Sequence, residues 1–159
     1  MGKSHALVLA RQGAKVAVTD ISQEECQLVV DEIKSSGGEA VAFKMDVSNK
    51  AEIDTVFDEV IKQFGRLDIL VNNAGVYVDR PALEMTEEDW DKTIDINLKG
   101  EFLCAQRAAK EMSKNKWGRI INISSIASGG VGIGMAGGAH YAASKGGRVA
   151  TTGSVSVAD

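Results

Sequence analysis

A chain of 159 residues with 44% hydrophobic and 25% charged side chains has the composition of one ordinary soluble globular domain, which excludes a disordered or fibrous polymer. Its net charge of -4 gives no basic footprint for nucleic acid or an anionic membrane surface, so small, uncharged or weakly polar ligands fit better. Cys26 and Cys104 stand far apart without CxxC or Cys/His ligand spacing. That pattern argues against a disulfide or a metal site and for a reducing, cytoplasmic setting.

In chain order, Gly2-Lys3-Ser4 imitates the end of a phosphate-binding P-loop but lacks the strand and earlier glycine that such a loop needs. The apolar run 6–10 is far too short to span a membrane. It reads as the tail of a helix, because a strand there would force Arg11-Gln12-Gly13 into a tight hairpin, whereas parallel neighbours need a long crossover. Strands are predicted over 15–19, 40–44, 68–71 and 119–123, each mostly apolar, as strands covered by helices on both faces are. Ser22 with Glu25 forms a capping-box pattern opening a helix to about residue 34, closed by Gly37 and Gly38.

A second helix is predicted over 49–64, with Ile53, Val56, Phe57, Val60, Ile61 and Phe64 on one stripe and Gly65 as its stop. Pro81 marks a loop. Thr86 and Asp89 then cap a long helical stretch to about residue 115, kinked near Asn97 and Gly100. Residues 141–147 read as a helix start, while 148–159 is rich in weak helix formers and stays open between a strained helix and a strand-like run. Alternating strands and helices predict an α/β fold: a doubly wound parallel sheet with helices on both faces, in three αβα layers. One domain over 1–159 is expected, since no linker, repeat or change of composition interrupts it.

Four features stand at the ends of successive elements: Asp20, then Asn72-Asn73-Ala74-Gly75, then Ser124-Ser125, then Tyr141-Ala-Ala-Ser-Lys145. With Asn97 and Asp46-Val47 in register, the chain resembles the short-chain dehydrogenase/reductase family, in particular its 3-oxoacyl-carrier-protein-reductase-like and alcohol-dehydrogenase-like members. The resemblance covers almost the whole chain. It implies a Rossmann-like NAD(P)-binding domain, expected to be truncated at both ends, because the first strand with its Gly-rich loop and the C-terminal part of the pattern are missing.

Tyr141 and Lys145, at i and i+4, share a helical face, so an ammonium can sit near the phenol. A free tyrosine titrates near roughly pH 10, and a neighbouring positive charge favours its phenolate, which makes Tyr141 the implied general acid/base. In the family the lysine also bonds the nicotinamide ribose. The resemblance assigns Ser125 the hydroxyl that stabilises developing alkoxide charge. Tyr141 follows Ser125 by 16 positions, about three more than the usual pattern, so Ser128 stays open as the alternative. Six glycines between Gly129 and Gly138 would absorb the extra length, either as a mobile pocket wall or as an insertion without a role. Asn97 is implied to hold a water that links the lysine to solvent; a kink held by a side-chain to backbone bond is the plainer reading.

For the cofactor, the resemblance implicates Asp20 and Ile21 at the adenosine ribose, Asp46 and Val47 at the adenine, and Asn73, Ala74 and Gly75 along the adenosine side, with Tyr141 and Lys145 at the nicotinamide end. The Asp20 carboxylate would accept ribose hydroxyls and repel an added phosphate, which favours NAD over NADP. Asn72, Trp90, Trp117 and the helix over 100–115 read as structural. That last helix and the Tyr/Lys helix build a homotetramer or homodimer interface in the family. The function implied is hydride transfer between NAD(H) and a small alcohol or carbonyl substrate, without metal. The rival is a non-catalytic nucleotide-binding or interaction remnant of the same fold. Sugars, steroids, acyl thioesters and simple alcohols all stay open as substrates.

Overall fold

The computed structural model describes residues 1–128 and 136–152. The Gly-rich segment 129–135 and residues 153–159, on which two of the expectations above fall, lie outside the described residues. The chain forms two compact units, Met1–Leu67 and Asp68–Asp159.

The first unit begins with helix α1, Gly2–Arg11, so the run 6–10 is helical and Gly2-Lys3-Ser4 is its first turn. Strand β1, Val16–Asp20, pairs in parallel with β2, Ala40–Lys44, in a register from Val16 opposite Ala40 to Asp20 opposite Lys44. Helix α2, Gln23–Ser35, forms the crossover. It buries Val30 and Ile33 against Ala40, and Leu7, Ala10, Val16 and Val18 close over that cluster. Helix α3, Lys50–Phe64, buries Ile53, Val56, Phe57 and Val60 as its stripe predicts.

The ends of these helices follow local chemistry. Asn49 caps α3 by accepting from the Ala51 N–H at 3.0 Å and the Glu52 N–H at 3.4 Å. Gly65 ends it at φ 79°, a left-handed conformation that any side chain would strain. At α2 the predicted capping box is half realised: Ser22 Oγ accepts from the Glu25 N–H at 3.3 Å. The reciprocal bond does not come from Glu25. Asp20 Oδ1 instead accepts from the Ser22 N–H at 3.2 Å, because the strand end delivers its carboxylate there first.

In the second unit, β3, Ile69–Asn72, pairs in parallel with β4, Arg119–Asn122. The long helical stretch between them is three pieces: α4, Glu87–Ile94, a π-helical segment, Asp95–Gly100, and α5, Glu101–Lys114. The predicted kink at Asn97 is thus a local widening of the helix rather than a break. Thr86 and Asp89 form the full reciprocal capping box. A short 3-10 turn, Ile126–Ser128, follows β4, and α6, Ala139–Thr152, carries the chain through the segment left open in sequence as far as Thr152.

Each described sheet is two strands wide, so cover on both faces is incomplete and Ile121 in β4 stays 45% exposed. Trp90 and Trp117 also depart from the packing role expected of them, at 40% and 46% exposed. Trp117 instead offers its ring to the Arg119 guanidinium at 5.4 Å. Among the described residues no helix is long and apolar enough to cross a membrane.

Candidate active site

The second unit brings the C-terminal end of β4, the π-helical segment and the first turns of α6 together. β4 runs on past its last ladder residue, the Ile123 N–H donating to the Asn72 carbonyl at 3.0 Å. The next acceptor along the chain is the carbonyl of half-buried Ile123, and it receives Lys145 Nζ at 2.9 Å. Lys145 is 5% exposed, and its nitrogen lies 5.4 Å from the centroid of the Tyr141 ring. The i and i+4 spacing thus places the two groups on one face of α6. Burial, and then the Arg148 charge, lower the Lys145 pKa to about 8, with Glu101 acting in the opposite direction. Tyr141 is half-buried and packs edge-on against Tyr77, ring centroids 5.2 Å apart.

Asn97 is fully buried and acts as a clamp. Its Oδ1 accepts from the Val76 N–H at 2.7 Å, and its Nδ2 donates to the Val76 carbonyl at 2.8 Å and to Ser144 Oγ at 3.3 Å. Its side chain bonds backbone, as the plainer reading expects, but on the strand β3 exit rather than on its own helix. That clamp fixes the segment Asn73-Ala74-Gly75, of which Ala74 and Gly75 are exposed. A Cβ on Gly75 would stand 3.2 Å from Asn97 Oδ1 and 3.9 Å from Lys145 Nζ. The glycine therefore leaves exposed backbone beside the ammonium uncovered by any side chain of its own, which a flat or sugar-like group can approach closely.

Asn72 is structural, as expected, donating to Asn122 Oδ1 at 3.0 Å across the β3–β4 pair. Ser125 Oγ accepts from the Ala127 N–H at 3.2 Å. That turn occupies one lone pair of a hydroxyl that can also donate. Ser124 is exposed.

In the first unit Asp20 is exposed and its neighbour Ile21 is 68% exposed. The Asp20 contact with the Ser22 N–H gives this residue a local role at the start of α2. Asp46 Oδ1 accepts from the Ser48 N–H at 2.8 Å and from Ser48 Oγ at 2.7 Å, which is the turn role of an aspartate. Val47 beside it is half-buried.

Sequence reasoning missed Glu101, Arg148 and His140, all buried in this unit. The available signal was a charge on an apolar face: Glu101 heads the stripe that continues through Cys104, Ala105, Ala108 and Met112. Arg148 pairs with Glu101, donates from Nη1 to the Ile123 carbonyl, and donates from Nη2 to the Asn97 carbonyl at 2.8 Å. Burial raises the Glu101 pKa to about 7 against the opposing pull of Arg148 and Lys145. Burial and the Glu101 charge push the Cys104 thiol up to about 12, so it stays protonated. His140 accepts the Tyr141 N–H on Nδ1 at 2.9 Å.

The profile of the short chain dehydrogenase family matches residues 1–157, and the chain belongs to that family. It is 43% identical over 152 residues to a hydroxy(phenyl)methylsuccinyl-CoA dehydrogenase subunit, BbsD, of Thauera aromatica, covering 96% of this chain and 60% of that protein. It is 42% identical over 153 residues to the 3-oxoacyl-(acyl-carrier-protein) reductase FabG of Staphylococcus aureus, covering 96% of this chain and 61% of that one. Among solved structures, a metagenomic short-chain oxidoreductase in complex with NADP superimposes with a TM-score of 0.89 at 37% identity, covering 96% of this chain and 69% of that one. The fold is therefore the Rossmann-like α/β fold of these oxidoreductases. The chain spans about 60% of the length of the curated relatives it matches.

Proposed function

We propose that the protein is an oxidoreductase that moves a hydride reversibly between a nicotinamide cofactor and an alcohol or carbonyl substrate. The observation that carries this reading is the buried Lys145 ammonium, held on the Ile123 carbonyl and 5.4 Å from the Tyr141 ring. A positive charge there favours the phenolate, so Tyr141 takes the hydroxyl proton during oxidation and returns it during reduction. The Ser125 hydroxyl donates to the substrate oxygen as negative charge develops on it. Asn97 holds the backbone beside Lys145, and the same placement supports a role in ordering a proton-conducting water.

The bound nicotinamide supplies the acceptor or donor of the hydride. The residues present fit such a group: Gly75 leaves backbone open beside Lys145, whose ammonium has two donors beyond the one given to Ile123. Asn73 and Ala74 line the same stretch. Asp20, with Ile21, supports NAD over NADP, its exposed carboxylate suiting ribose hydroxyls and opposing a phosphate, and Asp46-Val47 completes the adenosine-side reading. The NADP in the metagenomic relative makes this preference one to measure. Residues 1–159 then form part of a single NAD(P)-binding domain, of a cytoplasmic enzyme that assembles as a homotetramer or homodimer.

The test is fluorescence titration of NADH and NADPH, with turnover of a carbonyl panel, on the full-length protein and its Tyr141→Phe variant. Tyr141→Phe is expected to keep nucleotide affinity and lose at least about 100-fold in turnover. Failure of the unaltered protein to bind either nucleotide would leave the non-catalytic remnant as the reading.

A further inference from the structure

An ion pair removed from water gains little net stability, since desolvation offsets most of the attraction and an apolar pair of similar volume often does as well. Glu101 and Arg148 are 6% and 1% exposed and form such a pair in the second unit. Their placement is specific. Arg148 donates to the Ile123 carbonyl, the oxygen that also receives Lys145 Nζ at 2.9 Å. Its other arm donates to the Asn97 carbonyl at 2.8 Å. The guanidinium fork thus ties the end of β4 to the π-helical segment, and Glu101, on the first turn of α5, holds the fork in place.

We propose that Glu101 and Arg148 are a positioning pair for Lys145: they fix the carbonyl on which its ammonium rests and set the balance of charge around it. Two cations share one acceptor, and the Glu101 carboxylate is the anion paired with the guanidinium beside them. Removing the anion leaves Lys145 facing an uncompensated guanidinium, whereas removing the guanidinium leaves Lys145 facing a carboxylate. The pair therefore acts on Lys145 in opposite senses through its two members. Among the described residues, Tyr141 also reaches the pair, its charge favouring the charged form of Arg148. Tyr141 and His140 share its helix, the buried residue of α4 is Thr93, and β4 ends in Asn122 and Ile123. Asp95 and Lys99 of the π-helical segment pair with each other at the surface, and Cys104 beside Glu101 stays a neutral thiol.

The functional consequence rests on the reading of Lys145 as the partner of Tyr141; the geometry does not. The experiment accordingly reads Lys145 itself. Its Cε resonance, assigned by loss in Lys145→Met, is titrated by NMR in the full-length protein and in Glu101→Gln and Arg148→Met. Glu101→Gln is expected to lower the Lys145 midpoint by about one pH unit, and Arg148→Met to raise it by about the same. The alkaline limb of any turnover profile should move with it.

The double variant Glu101→Leu/Arg148→Met removes both charges and keeps the site apolar. It is expected to fold and to raise the midpoint, because Arg148 acts on Lys145 more strongly than Glu101 does. An unchanged midpoint in the folded variants, or a double variant that does not fold, would overturn the proposal in favour of a purely architectural pair. Absence of turnover in the unaltered protein would sink the oxidoreductase reading alone, leaving the Lys145 titration to decide this one.

Discussion

Asn97 shows how one residue can be legible in type and illegible in partner. An asparagine inside a helical pattern competes for backbone hydrogen bonds, so its sequence context signals a special role. Its partner Val76 lies 21 residues away, on the exit from β3, and no local pattern announces that bond. Asn97→Ala would leave both the N–H and the carbonyl of Val76 without their side-chain partner at a half-buried position. The expected cost is about 2 kcal/mol in urea unfolding, with turnover reduced at least about tenfold because the backbone beside Lys145 loses its clamp. A variant with unaltered stability would show that solvent replaces both bonds freely. Glu101 and Arg148 follow the same logic at greater separation: no local pattern pairs them, and only the fold brings them together beside the Ile123 carbonyl that Arg148 bonds. Tyr141 and Lys145 are readable because four residues of one helix suffice to define their relation.

Element boundaries are legible where the deciding chemistry is local. Asn49, Ser22, Thr86 and Gly65 each satisfy or end a helix within a few residues, and the strands lie within one residue of their predicted limits. The π-helical segment is legible only as a kink, since the partners of its buried Asn97 lie on other elements. The two caps of α3 permit a paired prediction. Asn49→Ala removes the acceptor for the Ala51 and Glu52 N–H groups and should cost about 1 kcal/mol. Gly65→Ala places a Cβ at φ 79°, in open space, so its cost is backbone strain alone, also about 1 kcal/mol. Both sit at opposite ends of one helix without shared partners, so the double variant should lose the sum in thermal or urea unfolding. A loss well below that sum would mean that α3 frays before the rest of its unit unfolds.

At the scale of the whole molecule, the buried charges of the second unit predict an unusual dependence of stability on pH. Glu101 titrates at about 7 when folded against 4.5 as its ordinary value. Between those values the folded state holds the proton more tightly, so stability falls as pH rises from about 4.5 to about 7. Lys145 titrates at about 8 when folded against 10.5 ordinarily. Between those values the unfolded state holds the proton more tightly, so stability rises again from about pH 8 to about 10.5. A minimum between about pH 7 and 8 follows, with arms of up to about 3 kcal/mol each, since a tenfold difference in proton affinity between the two states is worth about 1.4 kcal/mol. On the acid side, Asp89 and Glu111, whose pKa values are lowered by hydrogen bonds from Thr86 and from Lys114, contribute stability that is lost as pH falls below their ordinary range. Both tryptophans, Trp90 and Trp117, belong to this unit, so urea unfolding followed by tryptophan fluorescence reports on it directly. Glu101→Gln should flatten the arm between about pH 4.5 and 7, and Lys145→Met the arm between about 8 and 10.5. If stability instead rises smoothly to a plateau through neutrality in the unaltered protein, ionised Glu101 and Lys145 are fully compensated by their neighbours, and burial does not govern the charge of this site.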